Sequence, residues 1–450
     1  MMAKSRSQFV CQQCGATYPK WMGRCENCGE WNSLVEQVAE ATGASVVAKN
    51  SKTGTALTGI KLAEASVAIE SNRLHTGIAD LDAVLGGGFL PGGVVLVAGQ
   101  PGIGKSTLLA QVSSHIAQND SVLYVSGEES VSQVKLRTER LGAKQANFLT
   151  LASSNSAEDI AASIRQGNYN LVVVDSIQTL SLNDISSAPG SVSQITNSAN
   201  VIIRAAKSAN IAVILVGHVT KEGSIAGPKV LEHLVDVVLN FEGDRYGGFR
   251  VVRAQKNRYG STNEAAIFEM DEDGLRIVKN PSASLLAERQ NLDGSIVLAT
   301  LEGARPLLVE IQALVNQTNF GYPKRAASGF DLNRLNLLVA VLEKRTKLSL
   351  ADKDIYVNVV GGLKLSDPAA DLAVAMAVAS ASAGRSLGDG AVVFGEVGLG
   401  GEVRSAQGWH TRIKEAKKLG FTYAIAPKTH KDPFIKGVAD LRQALIDYLQ

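Results

Sequence analysis

A glycine-rich run followed by lysine and serine is the stretch of this chain best suited to do chemistry. Residues 99–106 read Gly-Gln-Pro-Gly-Ile-Gly-Lys-Ser, and they fit the phosphate-loop pattern G-x-x-x-x-G-K-[ST] at every fixed position. We expect Gly99, Gly102 and Gly104 to let the backbone turn tightly and point its N–H groups at phosphate oxygens. Lys105 would contact the β- and γ-phosphates of ATP, and the Ser106 hydroxyl would ligate Mg²⁺.

The residues on either side of this run supply the structural context that such a loop requires. Residues 94–98 form a short apolar run typical of a buried parallel strand, and residues 107–112 have helical spacing. A helix that begins near Lys105 would direct the positive end of its dipole at the same anion. We therefore predict an ATP-binding loop made of Gly99, Gln100, Pro101, Gly102, Ile103, Gly104, Lys105, Ser106 and Thr107.

Two further segments carry carboxylates where apolar strands end. The segment Leu171–Asp175 has the form of a Walker B strand, in which Asp175 holds Mg²⁺. Residues 124–130 place Glu128 and Glu129 after another strand, at the sheet edge where ligands of open α/β sheets bind. We predict that Glu128 is the base or water-positioning group for hydrolysis, with Glu129 as the alternative. A solvated helix start is the alternative explanation of the two glutamates.

Two later segments carry basic residues after predicted strands. His218 and Lys221 follow the strand 211–216 and could sense the γ-phosphate, although a hydrogen-bonded turn would also explain His218. Lys256 and Arg258 lie in the run Lys-Asn-Arg-Tyr-Gly after the last strand of this module. Positive charge near the γ-oxygens favours phosphoryl transfer, and an arginine can come from a neighbouring subunit. Spacing alone indicates only a basic turn there.

All four cysteines lie within the first 28 residues, in the spacing C-x2-C-x10-C-x2-C. Two close C-x-x-C pairs favour one tetrahedral structural zinc site over a disulfide framework or a redox dithiol. We also expect Trp21 and Trp31 to pack over this small module. The predicted zinc ligands are Cys11, Cys14, Cys25 and Cys28.

The overall composition is that of an ordinary globular protein, with 45% hydrophobic residues, 20% charged residues and a formal net charge of +2. A nearly neutral chain gives no overall electrostatic case for nucleic-acid binding, so any such surface must be local. The most apolar run, residues 373–383, is too short to cross a bilayer. The basic N-terminal residues are not followed by an apolar core. We therefore expect a cytoplasmic protein with no membrane partner.

The length favours about three domains. Residues 1–35 form the predicted zinc module, and the small, polar residues of 36–57 predict a flexible linker. Strands that alternate with helices predict a mostly parallel, helix-covered sheet in a domain over 58–285, and a further domain over 286–450. The predicted strands of the central domain are 121–126, 148–151, 171–175, 212–216, 235–241 and 249–254, the last two as an antiparallel addition.

The succession of four-cysteine module, linker, phosphate-loop core, Lys-Asn-Arg-aromatic-Gly motif and C-terminal module resembles the bacterial RadA (Sms) family over essentially the whole chain. The family pattern at residues 256–260 is Lys-Asn-Arg-Phe-Gly, from which Tyr259 departs. The resemblance implies an α/β fold class. It comprises a RecA-like P-loop ATPase core, an N-terminal four-cysteine zinc module and a C-terminal α+β Lon-protease-like domain.

The resemblance also implies a function. The family is a ring-forming, DnaB-like motor on single-stranded DNA, here expected to be a homo-hexamer that uses ATP, Mg²⁺ and Zn²⁺. It promotes branch migration and processing of branched recombination intermediates made by the RecA recombinase. By motif, Glu128 matches the catalytic glutamate of the RecA core. Lys256 and Arg258 match the basic pair that reaches the neighbour's ATP or couples it to DNA. The implied catalytic residues are Lys105, Glu128, Asp175, Lys256 and Arg258.

The C-terminal module resembles the proteolytic domain of Lon, which uses a serine–lysine dyad with its serine in Pro-Ser-Ala-Gly. Here residues 368–371 read Pro-Ala-Ala-Asp, and Arg412 stands at the position aligned with the lysine. Arginine cannot serve as a neutral base, because its pKa exceeds about 12, and Ser366 is out of register. We therefore expect no peptidase activity and a role as a scaffold or DNA surface.

Several basic residues and two loops could contact DNA. The loops 183–194 and 220–229 follow motor strands and would face DNA enclosed by a ring. The basic candidates, which would look the same on solvated faces, are Lys324, Arg325, Arg404, Arg412, Lys414, Lys417 and Lys418. Two other functions stay open at this point. One is an ATP-dependent peptidase that uses Ser366, and the other is an ATP-switched adaptor that holds recombination proteins through the zinc module.

Overall fold

The computed structural model describes residues 7–11, 17–26, 31, 33–38, 72–142, 146–218, 229–243, 249–318 and 321–449. The chain forms two compact units. The first contains the chain up to Phe241 together with Ala254–Ser261, and the second contains Glu242–Arg253 and the chain from Thr262 onwards. Cys14, Cys28, residues 39–57 of the predicted linker and residues 220–228 of the second predicted loop lie outside the described residues.

A small antiparallel sheet with the strand order β2-β1-β3 begins the first unit. Its strands are β1 (Ser7–Cys11), β2 (Thr17–Tyr18) and β3 (Leu34–Val38). Cys11 and Cys25 are buried beside Leu34 in its apolar cluster. The rings of Trp21 and Trp31 both lie against Gly23 of this module, but they are 55% and 68% exposed and are not part of its apolar cluster.

A parallel sheet with the order β9-β4-β8-β7-β5-β6 forms the centre of the first unit. Continuous apolar runs, such as the fully buried β4, are typical of parallel strands covered on both faces. The strands are β4 (Val94–Gly99), β5 (Val122–Ser126), β6 (Leu149–Ser153), β7 (Leu171–Asp175), β8 (Ala212–His218) and β9 (Val237–Gly243). The helices are α1 (Ala79–Leu85), α2 (Lys105–Ile116), α3 (Val131–Arg140), α4 (Ala157–Gln166), α5 (Val192–Ala209) and α6 (Lys229–Leu234).

Strand β9 corrects one expectation. It pairs in parallel with β4, with Val237 opposite Val95, whereas the sequence interpretation placed it in an antiparallel addition. The reason is that helix α6 lies between β8 and β9, and a helical connection lets two strands of one sheet run in the same direction. The antiparallel part begins only with the later strands β10 (Arg250–Asn257), β11 (Ala265–Asp271) and β12 (Gly274–Ile277).

The zinc module contacts helix α5 through one residue of β3. The Glu36 backbone carbonyl accepts hydrogen bonds from Ser193 Oγ at 2.7 Å and from Asn197 Nδ2 at 3.2 Å. The Glu36 carboxylate accepts one from Ser186 Oγ at 3.3 Å. Because Ser186 and Ser193 belong to the predicted DNA-facing loop 183–194, part of that loop is engaged by the zinc module in this structure.

The second unit is built on a seven-stranded sheet with the order β15-β16-β14-β13-β17-β20-β21. Helix α9 is alanine-rich and buried through most of its length, because it packs on β13 and β14. The strands are β13 (Ser295–Glu302), β14 (Arg305–Gln317), β15 (Arg325–Ser328), β16 (Lys353–Val359), β17 (Ala391–Val393), β20 (Tyr423–Pro427) and β21 (Ile435–Val438), with a separate ribbon of β18 (Glu396–Val397) and β19 (Val403–Arg404). The helices are α7 (Pro281–Leu286), α8 (Leu332–Val341), α9 (Asp371–Ala383), α10 (Trp409–Lys418) and α11 (Leu441–Tyr448).

The compact units divide the chain elsewhere than near residue 285. Residues 262–285 go with the second unit, because Ile267, Val278 and Leu285 share its apolar core with Ile296 and Leu307. β9 and β10 each have residues in both units. In the described ranges, no helix combines the length and the hydropathy needed to cross a membrane.

Candidate active site

The phosphate-loop residues connect the end of β4 to the start of α2. Gly102 and Gly104 have φ angles of +76° and +114°, a backbone conformation that favours glycine. Gly99 is needed for a different reason from the predicted one. It belongs to β4, and a Cβ there would come within 2.6 Å of the Phe241 carbonyl oxygen on β9. Its role is therefore close strand packing, and the turn itself depends on the other two glycines.

Lys105 is buried at the mouth of this loop. Its ammonium group donates hydrogen bonds to the carbonyl oxygens of Gly99 at 2.8 Å and Gln100 at 3.0 Å, and it lies 3.1 Å from His218 Nδ1. The left-handed glycines, the N-terminus of α2 and a lysine held across the loop are together suited to a triphosphate. Lys105 and His218 meet because β4 and β8 are neighbours, with Gly99 opposite His218.

His218 connects Lys105 to Glu128. An ammonium group only donates, so His218 Nδ1 must accept, and a neutral ring then carries its proton on Nε2. That nitrogen lies 3.4 Å from Glu128 Oε1. Ser176 Oγ donates to the same carboxylate oxygen at 2.6 Å. The alternative residue, Glu129, is instead 2.5 Å from Arg137 on α3, so Glu128 is the glutamate linked to the phosphate loop.

Asp175 ends β7 and is buried at the same edge of the sheet. Its Oδ2 accepts a hydrogen bond from the Tyr124 hydroxyl at 2.7 Å. Burial raises the pKa of Tyr124 well above its ordinary value, and the negative charge of Asp175 raises it further. The Asp175–Ser176 peptide bond is cis. The Asp175 carboxylate and the Ser106 hydroxyl are hard oxygen donors of the kind that Mg²⁺ takes.

Lys256 and Arg258 lie at the opposite edge of the sheet from Lys105. Lys256 Nζ donates to the carbonyl oxygens of Glu232 at 2.7 Å and Val235 at 2.8 Å. Burial lowers the pKa of Lys256, and the neighbouring charge of Arg258 lowers it further.

The position of Arg258 follows from its carboxylate partner. Arg258 Nη1 lies 3.3 Å from Asp236 Oδ1, and the same carboxylate accepts from the Val94 backbone N–H at the start of β4. Gly99 is five residues further along that strand, or roughly 17 Å away. The basic pair therefore does not meet the phosphate loop of the same chain.

The described part of the zinc module fits a thiolate-bound metal. Cys11 and Cys25 are both almost completely buried in one cluster. Cys11 Sγ lies 3.2 Å from Ser33 Oγ, and Cys25 Sγ lies 3.4 Å from the Tyr18 hydroxyl. Buried thiols beside hydroxyl groups suit Zn²⁺, whose structural sites take cysteine thiolates. Cys14 and Cys28 lie outside the described residues.

The second unit has a cleft of about 410 Å³ at Ala369 and Arg412, the positions that the sequence interpretation aligned with the Lon dyad. Ser366, Ser405 and Arg412 line it. Arg412 is 1% exposed and forms an ion pair with Asp367 at 2.6 Å, while it also donates to the Ala299 carbonyl oxygen at 2.7 Å.

The sequence-based expectation that Arg412 contacts DNA is wrong, because a guanidinium buried in this way is not available to phosphates. Three other members of that group pair with carboxylates. Arg404 Nη2 lies 2.5 Å from Glu402 Oε1, Lys417 Nζ lies 3.3 Å from Asp432 Oδ1, and Lys418 Nζ lies 3.7 Å from Glu415 Oε2.

Sequence reasoning missed Tyr124, Ser176 and Asp236. Tyr124 is the one polar-tipped residue in the apolar part of β5, and Ser176 directly follows the Walker B aspartate. Both features are visible in the sequence, but neither indicates which side chain the residue contacts. Asp236 gives no local signal, because its partners Val94, Lys207 and Arg258 are distant in the chain.

Family models match three stretches of the chain. An AAA domain model matches residues 64–224, a rubredoxin metal-binding domain model matches residues 9–36, and a model of subunit ChlI of Mg-chelatase matches residues 336–430. These matches confirm the predicted fold class: an α/β, RecA-like ATPase core with an N-terminal zinc module and an α+β Lon-like C-terminal domain.

Whole-chain comparisons give the family. The chain is 48% identical to the DNA repair protein RadA of Bacillus subtilis, over 99% of each chain. It is 47% identical to the DNA repair protein RadA of Listeria monocytogenes, over 98% of each chain. A crystal structure of the RadB recombinase aligns with 46% of this chain and 100% of its own, with 26% identity and a TM-score of 0.37. Because nearly half of its residues are identical to those of the two RadA proteins along their whole length, the chain belongs to the RadA family of DNA repair proteins.

Proposed function

We propose that this protein is a DNA-dependent ATPase of homologous recombination and repair. It works as a DnaB-like hexameric ring on single-stranded DNA, and it promotes branch migration and processing of intermediates made by the RecA recombinase. Family membership supports the link to DNA repair, and the AAA domain match supports ATP hydrolysis. Such work takes place on the chromosome, which puts the protein in the cytoplasm.

The observation that carries the motor proposal is the separation of the two basic groups. Lys105 lies at one edge of the parallel sheet, with Glu128 and Asp175, while Lys256 and Arg258 lie at the other edge. A subunit that presents a phosphate loop on one side and an exposed arginine on the other is suited to share each ATP with a neighbour. Hydrolysis at such a shared site would move adjacent subunits against each other and against enclosed DNA.

Each residue of the phosphate-loop edge has a role in the proposed reaction. Residues 99–107 bind ATP, and Lys105 moves from the loop carbonyls to the β- and γ-phosphates. Glu128, held at Oε1 by Ser176 and His218, accepts a proton from the attacking water. Bound Mg²⁺ supplies charge neutralisation on the phosphates, and Ser106 and Asp175 are its proposed ligands. Because His218 contacts both Lys105 and Glu128, it links phosphate binding to the position of the base.

The C-terminal domain is proposed to act as a scaffold or DNA surface without peptidase activity. Ala369 occupies the position that aligns with the Lon serine, and Arg412 is committed to Asp367 and to the Ala299 carbonyl oxygen. A guanidinium in such an ion pair stays protonated and cannot activate a nucleophile. The zinc module, with Cys11, Cys14, Cys25 and Cys28 as the proposed ligands, has a structural role.

ATP turnover with and without single-stranded DNA tests this proposal. We expect the wild-type protein to bind single-stranded DNA and to hydrolyse ATP faster in its presence. Lys105→Ala should abolish turnover, because the β- and γ-phosphates lose their cation. Lys135→Ala is the matched control, since Lys135 is exposed on α3 and pairs with Glu139, and it should keep full turnover. A wild-type protein that neither binds single-stranded DNA nor responds to it would contradict the motor.

A further inference from the structure

Asp236 brings together several donors from distant parts of the first unit. It lies just before β9 and is 2% exposed. Its Oδ2 accepts from the Val94 backbone N–H and from Lys207 Nζ, each at 3.0 Å. Its Oδ1 faces Arg258 Nη1 at 3.3 Å, and its backbone carbonyl accepts from the Arg258 N–H at 3.1 Å. Arg258 is therefore held by Asp236 at both its backbone and its side chain.

The contacts with Asp236 leave much of the Arg258 side chain accessible. The Arg258 side chain is 57% exposed, and the structure gives one of its terminal nitrogens to Asp236. Guanidinium groups present five N–H donors in a fixed plane. A carboxylate that fixes one nitrogen orients the whole plane, so the remaining donors are directed rather than freely rotating.

The turn that carries Arg258 is fixed by its neighbours as well. Asn257 donates to the Val84 carbonyl oxygen at 3.1 Å and accepts from the Tyr259 N–H at 2.8 Å. Gly86, with φ +81°, approaches so closely that a Cβ there would lie 2.8 Å from the Tyr259 carbonyl oxygen. These contacts fix the backbone of the turn, so the orientation of the Arg258 side chain depends on its own partner, Asp236.

Tyr259 adds a neutral donor to the same carboxylate. The pKa of Tyr259 rises to about 12, chiefly by burial and then by the charge and hydrogen bond of Asp236. Tyr259 thus adds a neutral group beside the aspartate that holds the preceding arginine.

We propose that Asp236 is the positioning residue for Arg258, the one that aims its guanidinium at the triphosphate bound by a neighbouring subunit. This inference rests on the proposed sharing of ATP between subunits. Asp236 acts through Arg258 and touches no substrate. Preorganising one charged group in this way affects the rate of the chemical step more than nucleotide binding, because a misplaced group still permits binding.

A double-mutant cycle tests this proposal, with kcat for DNA-stimulated ATP hydrolysis by the full-length protein as the measured quantity. Asp236→Asn keeps the shape and an acceptor for Val94 but removes the charge that holds Arg258. We expect kcat to fall by about tenfold or more, with KM for ATP within about threefold. Asp236→Asn/Arg258→Ala should be no slower than Arg258→Ala alone, because the aspartate has nothing left to position. A merely structural aspartate would instead lower kcat by the same factor with or without Arg258.

Two control variants share the same carboxylate. Lys207→Met removes the other cationic partner of Asp236 without touching Arg258, and it should keep kcat within about twofold. Tyr259→Phe removes only the neutral donor, so its effect on kcat should be smaller than that of Asp236→Asn. Asp236→Glu keeps the charge but displaces it by one methylene, and it is the second variant to use if Asp236→Asn does not fold.

The outcomes separate this inference from the function on which it rests. If Arg258→Ala leaves kcat unchanged, the shared site itself is wrong. If Arg258→Ala slows turnover while Asp236→Asn and Asp236→Glu do not, only the positioning role is overturned. Multiplicative losses in the double variant would also overturn it. If neither Asp236 variant melts cooperatively, the carboxylate is required for folding, and the positioning role is rejected.

Discussion

Glu128 illustrates how single residues of the candidate site depend on neighbours from other strands. Its Oε1 receives Ser176 Oγ at 2.6 Å and faces His218 Nε2 at 3.4 Å. A carboxylate that accepts two such contacts is held in one orientation, which a proton acceptor at a reacting water needs. Ser176 is completely buried, so it acts through Glu128 and does not reach solvent.

Ser176→Ala tests this arrangement. The loss of a hydrogen bond of about 1 kcal/mol corresponds to roughly a fivefold lower rate. We expect that decrease in kcat for DNA-stimulated ATP hydrolysis, with KM for ATP nearly unchanged, measured by steady-state kinetics. Ser181→Ala is the control, because the Ser181 hydroxyl is exposed and bonds only weakly to the Asn155 carbonyl oxygen at 3.4 Å. Equal effects of the two variants would argue against a positioning role for Ser176.

Sequence reasoning reached the residues of the site whose signals are local. Residues 99–107 form one continuous pattern, and Asp175 ends an apolar strand, so both were visible without coordinates. The contacts of Tyr124 with Asp175 and of Ser176 with Glu128 were not, because they depend on which strands lie side by side. Gly99 shows the same limit, since only the approach of β9 explains why that position excludes a side chain.

Asp367 shows how one side chain joins several elements of the second unit. It lies just before α9, and its carboxylate accepts from Thr300 Oγ1 and the Leu301 N–H on β13 as well as from Arg412 on α10. Burial by itself would raise the pKa of Asp367, but the hydrogen bond and charge of Arg412, together with backbone N–H donors, hold it below its usual range. The charged form is therefore the one that stabilises the fold.

Asp367→Asn should lower the free energy of unfolding of the second unit by about 3–5 kcal/mol, because it leaves the buried Arg412 without its counter-charge. The stabilisation is complete above about pH 4, the ordinary aspartate pKa, and is lost as the pH falls through the lower folded value. The difference between wild type and variant should therefore shrink in acid. Denaturation followed by Trp409 fluorescence, with Trp21 and Trp31 replaced by Phe, measures it.

A surface ion pair of the same unit provides the control for this prediction. Glu269→Gln breaks the exposed pair with Arg276 and should change the free energy of unfolding far less than Asp367→Asn does, at any pH. If Asp367→Asn were equally mild, the buried pair would not be a principal connection between β13 and α10. A difference between wild type and Asp367→Asn that stayed constant down to strongly acid pH would contradict the lowered pKa.

The contact between β3 and α5 links the zinc module to the loop that follows the Walker B strand. Ser193→Ala/Asn197→Ala removes two hydrogen bonds to the Glu36 carbonyl oxygen, each worth about 1 kcal/mol. We expect the backbone amides of β3 to exchange with deuterium on the order of tenfold faster, with the central sheet unchanged. Hydrogen-exchange mass spectrometry of the full-length protein would show this directly.

Zinc removal extends the same measurement. A chelator should speed exchange in β1 and β3, because it removes the metal ion that joins the cysteine thiolates of a structural site. Ser208→Ala is the matched control on the same helix, since Ser208 bonds only to the Ala205 carbonyl oxygen one turn away. Unchanged exchange of β3 in Ser193→Ala/Asn197→Ala would show that the zinc module is held by other contacts.

The elements themselves were partly predictable. Buried strands such as β4 and β7 were identified because unbroken apolar runs indicate parallel strands covered on both faces. The direction of β9 was wrong, because short spacing to the next strand favoured a hairpin and the helix α6 was overlooked. The contact of Glu36 with α5 could not be foreseen, since polar residues on a helix do not indicate what they face.

At the scale of the whole molecule, the sequence described a succession of modules but not their limits in space. The chain between 262 and 285 was assigned by continuity to the ATPase domain, yet its apolar side chains join the core of the second unit. Such a choice depends on which of two cores offers better packing, and that is decided by residues far along the chain. The proposed domain boundaries therefore describe sequence modules rather than the compact units of the structure.

The proposed sharing of ATP between subunits would be a property of the assembly, and mixed assemblies test it. Lys105→Ala keeps an intact Arg258 but cannot bind the phosphates, whereas Arg258→Ala keeps an intact phosphate loop. Lys105→Ala alone should show no ATP turnover, and Arg258→Ala alone should show only a small residual rate. Random co-assembly at equal amounts creates complete sites at about a quarter of the interfaces, because each interface is head-to-tail and takes one side from each subunit. We therefore expect ATP turnover to recover to about that fraction of the wild-type rate.

The control for the mixing experiment pairs Lys105→Ala with Lys105→Ala/Arg258→Ala. That mixture contains no intact phosphate loop, so it should stay inactive however the subunits assemble. Recovery only in the first mixture would require Lys105 and Arg258 to act from different subunits, which agrees with their places at opposite edges of the sheet. No recovery in co-purified mixed assemblies would mean that each subunit hydrolyses ATP without its neighbour, and Arg258 would then need a partner other than the triphosphate.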